Sequence, residues 1–240
     1  MQLRCARLRR SRIPAQGCKR LSPLGKAWFS RSHRRALAAV AALVLAAPFG
    51  RALAQVDAVR VTRGEPAITR TEYNPRRPPR DMPPLTPPES GVCKITFELA
   101  TNLTYSAERL TRTTVRIYVD ELDIVTGLRF DIFTLKGAPP KLRAHEEAHR
   151  AIGEHFYADA AEIAREIGHR LIGSTFEGEG TEDDVAQRDA FGKVIAEIER
   201  DYMARVRFPS ADANERFDAI TKHGVDPIDE ARAIALALGD

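Results

Sequence analysis

Apolar and polar residues alternate in three stretches near the middle of this 240-residue chain. Ile95, Phe97 and Leu99 share one face, Val115, Ile117 and Val119 a second, and Leu128, Phe130 and Ile132 a third. Lys94, Thr96, Glu98, Arg116, Arg129 and Asp131 fall between them. A period of two with polar residues between predicts strands half-buried in a small antiparallel sheet, and the short connections suit a meander. A further strand is predicted at Val56 to Val61. From Pro140 the period lengthens. Leu142, His145, His149, Ile152, Phe156, Ala160, Ile163, Ile167 and Leu171 recur every three or four residues. This is the stripe of an amphipathic helix of about eight turns, with Pro140 in its first turn and Gly173-Ser174 at its end. The segment FEGEGTEDD (176–184) predicts an acidic loop without the spacing of an EF-hand. A second helix from about Thr181 to Val206 buries Phe191, Ile195, Ile198 and Tyr202. A third starts at Ser210, buries Ala213, Phe217 and Ile220, and stops at Gly224. A fourth, capped by Asp226-Pro227, carries Ile228, Ala231, Ala235 and Leu238 inside. Strands followed by helices define an α+β class.

Composition changes this picture mainly at the N-terminus. The chain is 43% hydrophobic and 29% charged, enough for a folded core. Its formal charge is +4, yet residues 1–54 hold 12 Lys+Arg and no Asp or Glu. Of 37 basic and 33 acidic residues the remainder therefore keeps 25 and 33, a net of −8. The basicity belongs to the first segment, and a nucleic-acid partner loses its electrostatic footprint. Within that segment an Arg-rich start precedes the apolar run ALAAVAALVLAAP (36–48) and a small-x-small pattern at Ala52-Leu53-Ala54. These are the parts expected of a secretory signal peptide cleaved near Ala54, with an uncleaved anchor or an organellar transit peptide as the alternative. The apolar run is short of the roughly 20 residues a membrane span needs, so no stable membrane insertion is expected after cleavage. Cys5 and Cys18 would leave with it. Only Cys93 would remain, read as a small buried hydrophobe with no disulfide partner. Residues 75–88, PRRPPRDMPPLTPP, read as an extended proline-rich connector.

The candidate chemistry lies on the first helix. Residues 145–149 read HEEAH, an H-E-x-x-H motif. Two histidines at i and i+4 lie one turn apart on one face, and their imidazoles can take two corners of a zinc tetrahedron. Glu146 sits about 100° round the helix, near enough to reach a water on the open side of the ion. It would accept that water's proton and pass it to a leaving amine. Two unpaired imidazoles in an apolar stripe would cost energy without a partner, which favours metal binding over a coincidence of helix face. The third ligand is open on spacing. His223, at the end of NERFDAITKHG, is favoured. His155, ten residues after His145, could bind only if the helix broke at Gly153, and Glu215 or Asp218 would give an acidic third ligand. Asp218 could otherwise orient a ligand histidine, and His223 could otherwise complement a helix C-terminus. No oxyanion stabiliser stands out: Tyr157 and Tyr202 could serve, but each reads first as a core or surface aromatic.

The pairing of HEEAHR with a downstream F-D-x-x-T-x-H-G resembles the bacterial predicted secreted zinc-dependent protease family over roughly residues 56–224. The resemblance implies a signal peptide at 1–54, a strand and connector at 55–90, and a zincin-like metallopeptidase domain at 91–240. It implies His145, Glu146 and His149 in a zinc motif, and Phe217, Asp218, Thr221, His223 and Gly224 in a second motif. Ala148 stands where glycine is frequent in that family, and Phe217 replaces tyrosine.

The resulting expectation is an exported, periplasmic or secreted zinc metallopeptidase. Glu146 would be its general base, His145, His149 and His223 its zinc ligands, and a peptide or protein its substrate. Strands 113–119 and 127–134 are candidates for a sheet edge on which an extended peptide could pair. The alternative is a non-catalytic envelope protein that holds zinc structurally or for storage. A structural site is normally closed by four protein ligands, and Glu146 has no purpose there unless it ligates.

Overall fold

The computed structural model describes residues 57–85 and 89–239. The segment read as a signal peptide, 1–54, and part of the proline-rich connector lie outside them. The described chain is a mixed fold with one five-stranded sheet and five helices. Its strands are β1 (Val59–Arg63), β2 (Ala67–Tyr73), β3 (Gly91–Arg109), β4 (Thr114–Leu135) and β5 (Thr175–Glu179). Its helices are α1 (Pro140–Tyr157), α2 (Ala160–Leu171), α3 (Asp183–Tyr202), α4 (Phe208–Thr221) and α5 (Glu230–Leu238). No helix among the described residues is long and apolar enough to cross a membrane.

β4 organises the sheet. One edge pairs with β3 in a long antiparallel hairpin. The other carries β5 antiparallel against residues 114–118, then β1 parallel against 122–126, then β2 parallel against 129–135. The expected antiparallel meander is thus a mixed sheet, and β2 is a strand that the alternation did not indicate. The two stretches expected at 113–119 and 127–134 are one 22-residue strand, and neither is an edge, since both of its sides are paired. The cause is a change of phase. Val115, Ile117 and Val119 are buried at odd positions, whereas Leu122, Ile124, Leu128, Phe130 and Ile132 are buried at even ones. The register shifts opposite Thr104/Tyr105. A bulge inserts one residue there and swaps the faces without ending the strand.

The helices cover one face of this sheet. The long first helix is two. α1 ends at Tyr157, α2 begins at Ala160, and the jog at Ala158-Asp159 keeps the spacing of buried residues, so periodicity does not reveal it. The Tyr157 hydroxyl is buried and donates to the Gly64 and Thr126 carbonyls at 2.9 and 3.0 Å. Tyr202 is likewise in the main core. Both tyrosines are thus core residues, and neither lies at the motif. α1 continues through Gly153, where a Cβ would stand 2.7 Å from the Phe130 ring. Here the helix lies directly on the sheet.

Three further expectations change. The acidic loop at 176–184 contains β5. Gly178 is buried against α3, and a Cβ there would lie 2.0 Å from the Ala186 carbonyl oxygen. Glycines that read as loop residues instead permit helix-on-strand contact. The helices expected at 181–206 and from 210 run on through a π turn at Met203–Arg207, with Pro209 in the first turn of α4. Proline supplies no N–H to the preceding turn, and a local widening accommodates it. The last helix is capped by Asp229, whose side chain accepts from the Arg232 N–H at 3.1 Å, three residues beyond the expected cap. Ala233 and Ala237 form its buried face and Ala231 is exposed. Cys93 is buried at 0% exposure, as expected, and forms no disulfide among the described residues.

Gly178→Ala should destabilise the fold by about 3 kcal/mol, because the added methyl has no room against the α3 backbone. Thermal unfolding followed by circular dichroism should show Tm lowered by roughly 6–12 °C, and an unchanged Tm would contradict this packing.

Candidate metal centre

The motif sits where α1 packs on α4, beside the start of β3. On α1, His145, Ala148, His149 and Ile152 form one buried face. On α4, Asn214, Phe217, Asp218 and Thr221 form another at spacings of three and four. The Phe217 ring stacks on His145 with centroids 5.0 Å apart and meets His149 edge-on at 5.1 Å. An aromatic wall therefore fixes both imidazole planes.

His145, His149 and Asp218 converge and can hold a metal ion. His145 Nε2 lies 3.3 Å from His149 Nε2, and Asp218 Oδ1 lies 3.2 and 3.0 Å from the two nitrogens. A zinc ion with bonds of 2.0–2.1 Å places tetrahedral ligands about 3.3 Å apart, so the spacing fits. The hydrogen-bond network assigns the His149 tautomer. Asn214 Nδ2 donates to the Ser210 carbonyl at 2.7 Å, which turns Asn214 Oδ1 towards His149 Nδ1, also at 2.7 Å. His149 Nδ1–H donates to that oxygen, so a neutral His149 aims its Nε2 lone pair at Asp218. Electron-rich atoms then face one another, and a shared cation satisfies them. Neither Asp218 oxygen receives a hydrogen bond of good geometry.

Burial and charge act together here. Burial pushes the Asp218 carboxyl up, but the two imidazoles outweigh it and hold the carboxyl well below its usual range. Burial lowers His145, and Asp218 only partly offsets this. Burial also disfavours charge on His149, yet Asp218, Glu146 and Asn214 together raise it. Glu146, 2% exposed, is pushed up from 4.5 to about 7, chiefly by burial, with a small opposing contribution from the Cys93 backbone N–H. Its Oε1 lies so near the β3 backbone that a Cβ on Gly91 would stand 2.6 Å away, and its Oε2 is buried without a partner.

The remaining sequence candidates separate clearly. His155 is exposed on an unbroken α1, Glu215 is exposed on α4, and His169 is exposed on α2. His223 stands at the rim, its side chain 35% exposed, with Nδ1 3.7 Å from Asp218 Oδ1 and 3.6 Å from Glu89 Oε1. Asp218 thus occupies the third position beside the two motif histidines. Asn214 had escaped the sequence reading. Its signal is that Asn214 and Asp218 repeat on α4 the i, i+4 spacing that His145 and His149 have on α1. The turn after α4 is strained: Lys222, His223 and Gly224 have φ of 48, 56 and 78°. Gly224 packs on His145, where a Cβ would stand 3.1 Å from its Cγ. Two successive left-handed residues other than glycine cost on the order of 1–2 kcal/mol each.

No family model, curated protein or solved structure matches the chain.

Two predictions follow from this geometry. Elemental analysis of the purified protein should find about one bound divalent ion per chain, lost in His149→Ala and Asp218→Ala and bound about 10- to 100-fold more weakly in Asn214→Ala. In the metal-free protein, Glu146→Gln should raise stability at pH 8 but not at pH 4. The folded carboxyl titrates near 7 and the unfolded one near 4.5. The cost of ionising it in the fold therefore builds between those values and is complete above 7, at up to about 3 kcal/mol. Equal stability of the two proteins at pH 8 would show that Glu146 is solvated.

Proposed function

We propose that this protein is an exported zinc metallopeptidase of zincin-like organisation, with the ion held by His145, His149 and Asp218. One observation carries this reading: three metal-ligating atoms converge at the H-E-x-x-H motif, and Glu146, the motif's remaining functional residue, stays outside the ligand set and lines the same pocket. The ligand chemistry suits zinc, which favours imidazole nitrogen with carboxylate oxygen and leaves a position open in catalytic sites. A structural site would be closed by a fourth protein ligand. The resemblance of HEEAHR and FDAITKHG to the secreted zinc-dependent proteases supports the same class, and the signal-like segment at 1–54 supports export to the periplasm or beyond.

Bound zinc supplies Lewis acidity at a carbonyl and lowers the pKa of a coordinated water. The chain's own residues do the rest. Glu146, buried beside the ligand set and not part of it, is placed to take a proton from water and return it to the departing amine. Asn214 fixes the His149 ring through Nδ1 and leaves Nε2 for the ion. Phe217 keeps both imidazoles from rotating. Leu142 and Val92 line the pocket beside the polar groups and limit water there.

The test is Glu146→Gln. The variant should retain its metal and lose cleavage of a proteome-derived peptide library by at least about 100-fold, the lower end of what a single proton-transfer group contributes, read by mass spectrometry. Wild-type metal binding without any cleavage would favour a storage or structural role instead.

A further inference from the structure

We propose that His223 faces the substrate, as the hydrogen-bond donor that holds the carbonyl oxygen of a bound peptide at the mouth of the site, and is not a ligand of the ion. The inference rests on the metallopeptidase reading above and assigns a role within that site.

Position comes first. The side chains of His145, His149 and Asp218 are at most 5% exposed, whereas His223 is 35% exposed. The three ligand residues line the inner part of the pocket, and His223 is its more exposed member. It lines that pocket with Glu146, Ser90, Val92 and Leu142. Its ring makes no hydrogen bond among the described residues. The nearest acceptors, Glu89 Oε1 and Asp218 Oδ1, lie at 3.6 and 3.7 Å, beyond good hydrogen-bond distance. An imidazole N–H is therefore available to a ligand.

Backbone is the second, independent observation. α4 closes by a Schellman-type arrangement: Lys222 is the left-handed residue, and the Lys222 and His223 N–H groups both donate to the Asp218 carbonyl. Such a closure needs one left-handed residue. His223 is a second, at φ 56°, and helix termination does not require it. Its effect is to turn the chain back so that Gly224 lies on the His145 ring and the His223 imidazole comes to the rim. Strain beyond what the fold needs is characteristic of residues held for a site.

The chemistry supplies the role. Hydrolysis of an acyl bond develops negative charge on the carbonyl oxygen, and a fixed donor there stabilises it. Tyr157 and Tyr202 are core residues and cannot serve. Outside the ligand set, Ser90 and His223 are the pocket-lining side chains that carry a donor.

The test uses the Co2+-loaded full chain and acetohydroxamate, a small acyl probe, with visible absorption reporting the coordination sphere. His223→Ala should bind one Co2+ per chain with an unchanged probe-free spectrum. It should bind acetohydroxamate about five- to tenfold more weakly, the value of one hydrogen bond. His223→Asn, which tolerates the left-handed backbone and keeps an N–H donor, should recover part of that loss. Loss of Co2+ or an altered probe-free spectrum in His223→Ala would make His223 a ligand and overturn the proposal. Wild-type probe affinity in His223→Ala, a loss seen instead in Ser90→Ala, or failure of the wild-type Co2+ form to bind the probe would also overturn it. Failure of the wild-type chain to bind Co2+ is read before any probe is added, and it removes the metallopeptidase reading along with this one.

Discussion

A carboxylate buried against two imidazoles governs the α1–α4 contact. In an interface otherwise made of Ala148, Ile152, Ala213 and Phe217, Asp218 and the motif histidines are polar groups far from solvent. Burying such groups is costly unless each is paired. The pairing sets the geometry of everything around it. α1 must present His145 and His149 together, which a continuous helix does at i, i+4. α4 must approach until Asp218 Oδ1 is within about 3 Å of both rings, which places Phe217 flat on His145 and edge-on to His149. Asn214 then has to supply the acceptor for His149 Nδ1, and the turn after α4 has to leave room for the His145 ring, which it does with Gly224.

The same contact explains why Glu146 is so poorly solvated. It is on α1 but off the histidine face, which turns it towards the first residues of β3. Gly91 offers it space, and the only compensation from the strand is the Cys93 N–H. An apolar residue at this position would fit the surroundings better. A carboxylate kept there at a cost to the fold is the familiar opposition between stability and activity.

How much of this was legible in the sequence depends on which physical signal carried it. HEEAH was legible because chemistry and helical spacing coincide in five adjacent residues, and Asp218 was among the residues weighed as a third ligand. What separated Asp218 from His223 is the rotation of α4 relative to α1, which brings together residues distant in sequence and is not written in the spacing of either motif. Asn214 went unread because its i, i+4 spacing to Asp218, unlike that of two histidines, does not by itself name a ligand set. The individual strand segments were legible from alternation, but their union was not. The bulge near Asp120 moves the apolar residues from odd to even positions, which reads as two strands. β2 has no buried residue before Tyr73, so its pairing with β4 leaves almost no trace in hydrophobicity. Gly178 misled because glycine in an acidic segment signals a loop, and the reason for it, the α3 backbone, is distant in sequence.

Because β4 bonds to every other strand, it also dictates the order in which the chain can assemble. During synthesis β1, β2 and β3 emerge before their common partner exists, and no two of them pair with each other. The first sixty or so residues after Asp57 therefore have nothing to fold onto until residues 114–135 appear, and contacts of that sequence separation form slowly. Val59 and Val92, buried in the finished molecule, stay uncovered during that interval. A nascent chain of this design remains threadable for an unusually long time, and is correspondingly dependent on whatever shields it until its central strand arrives.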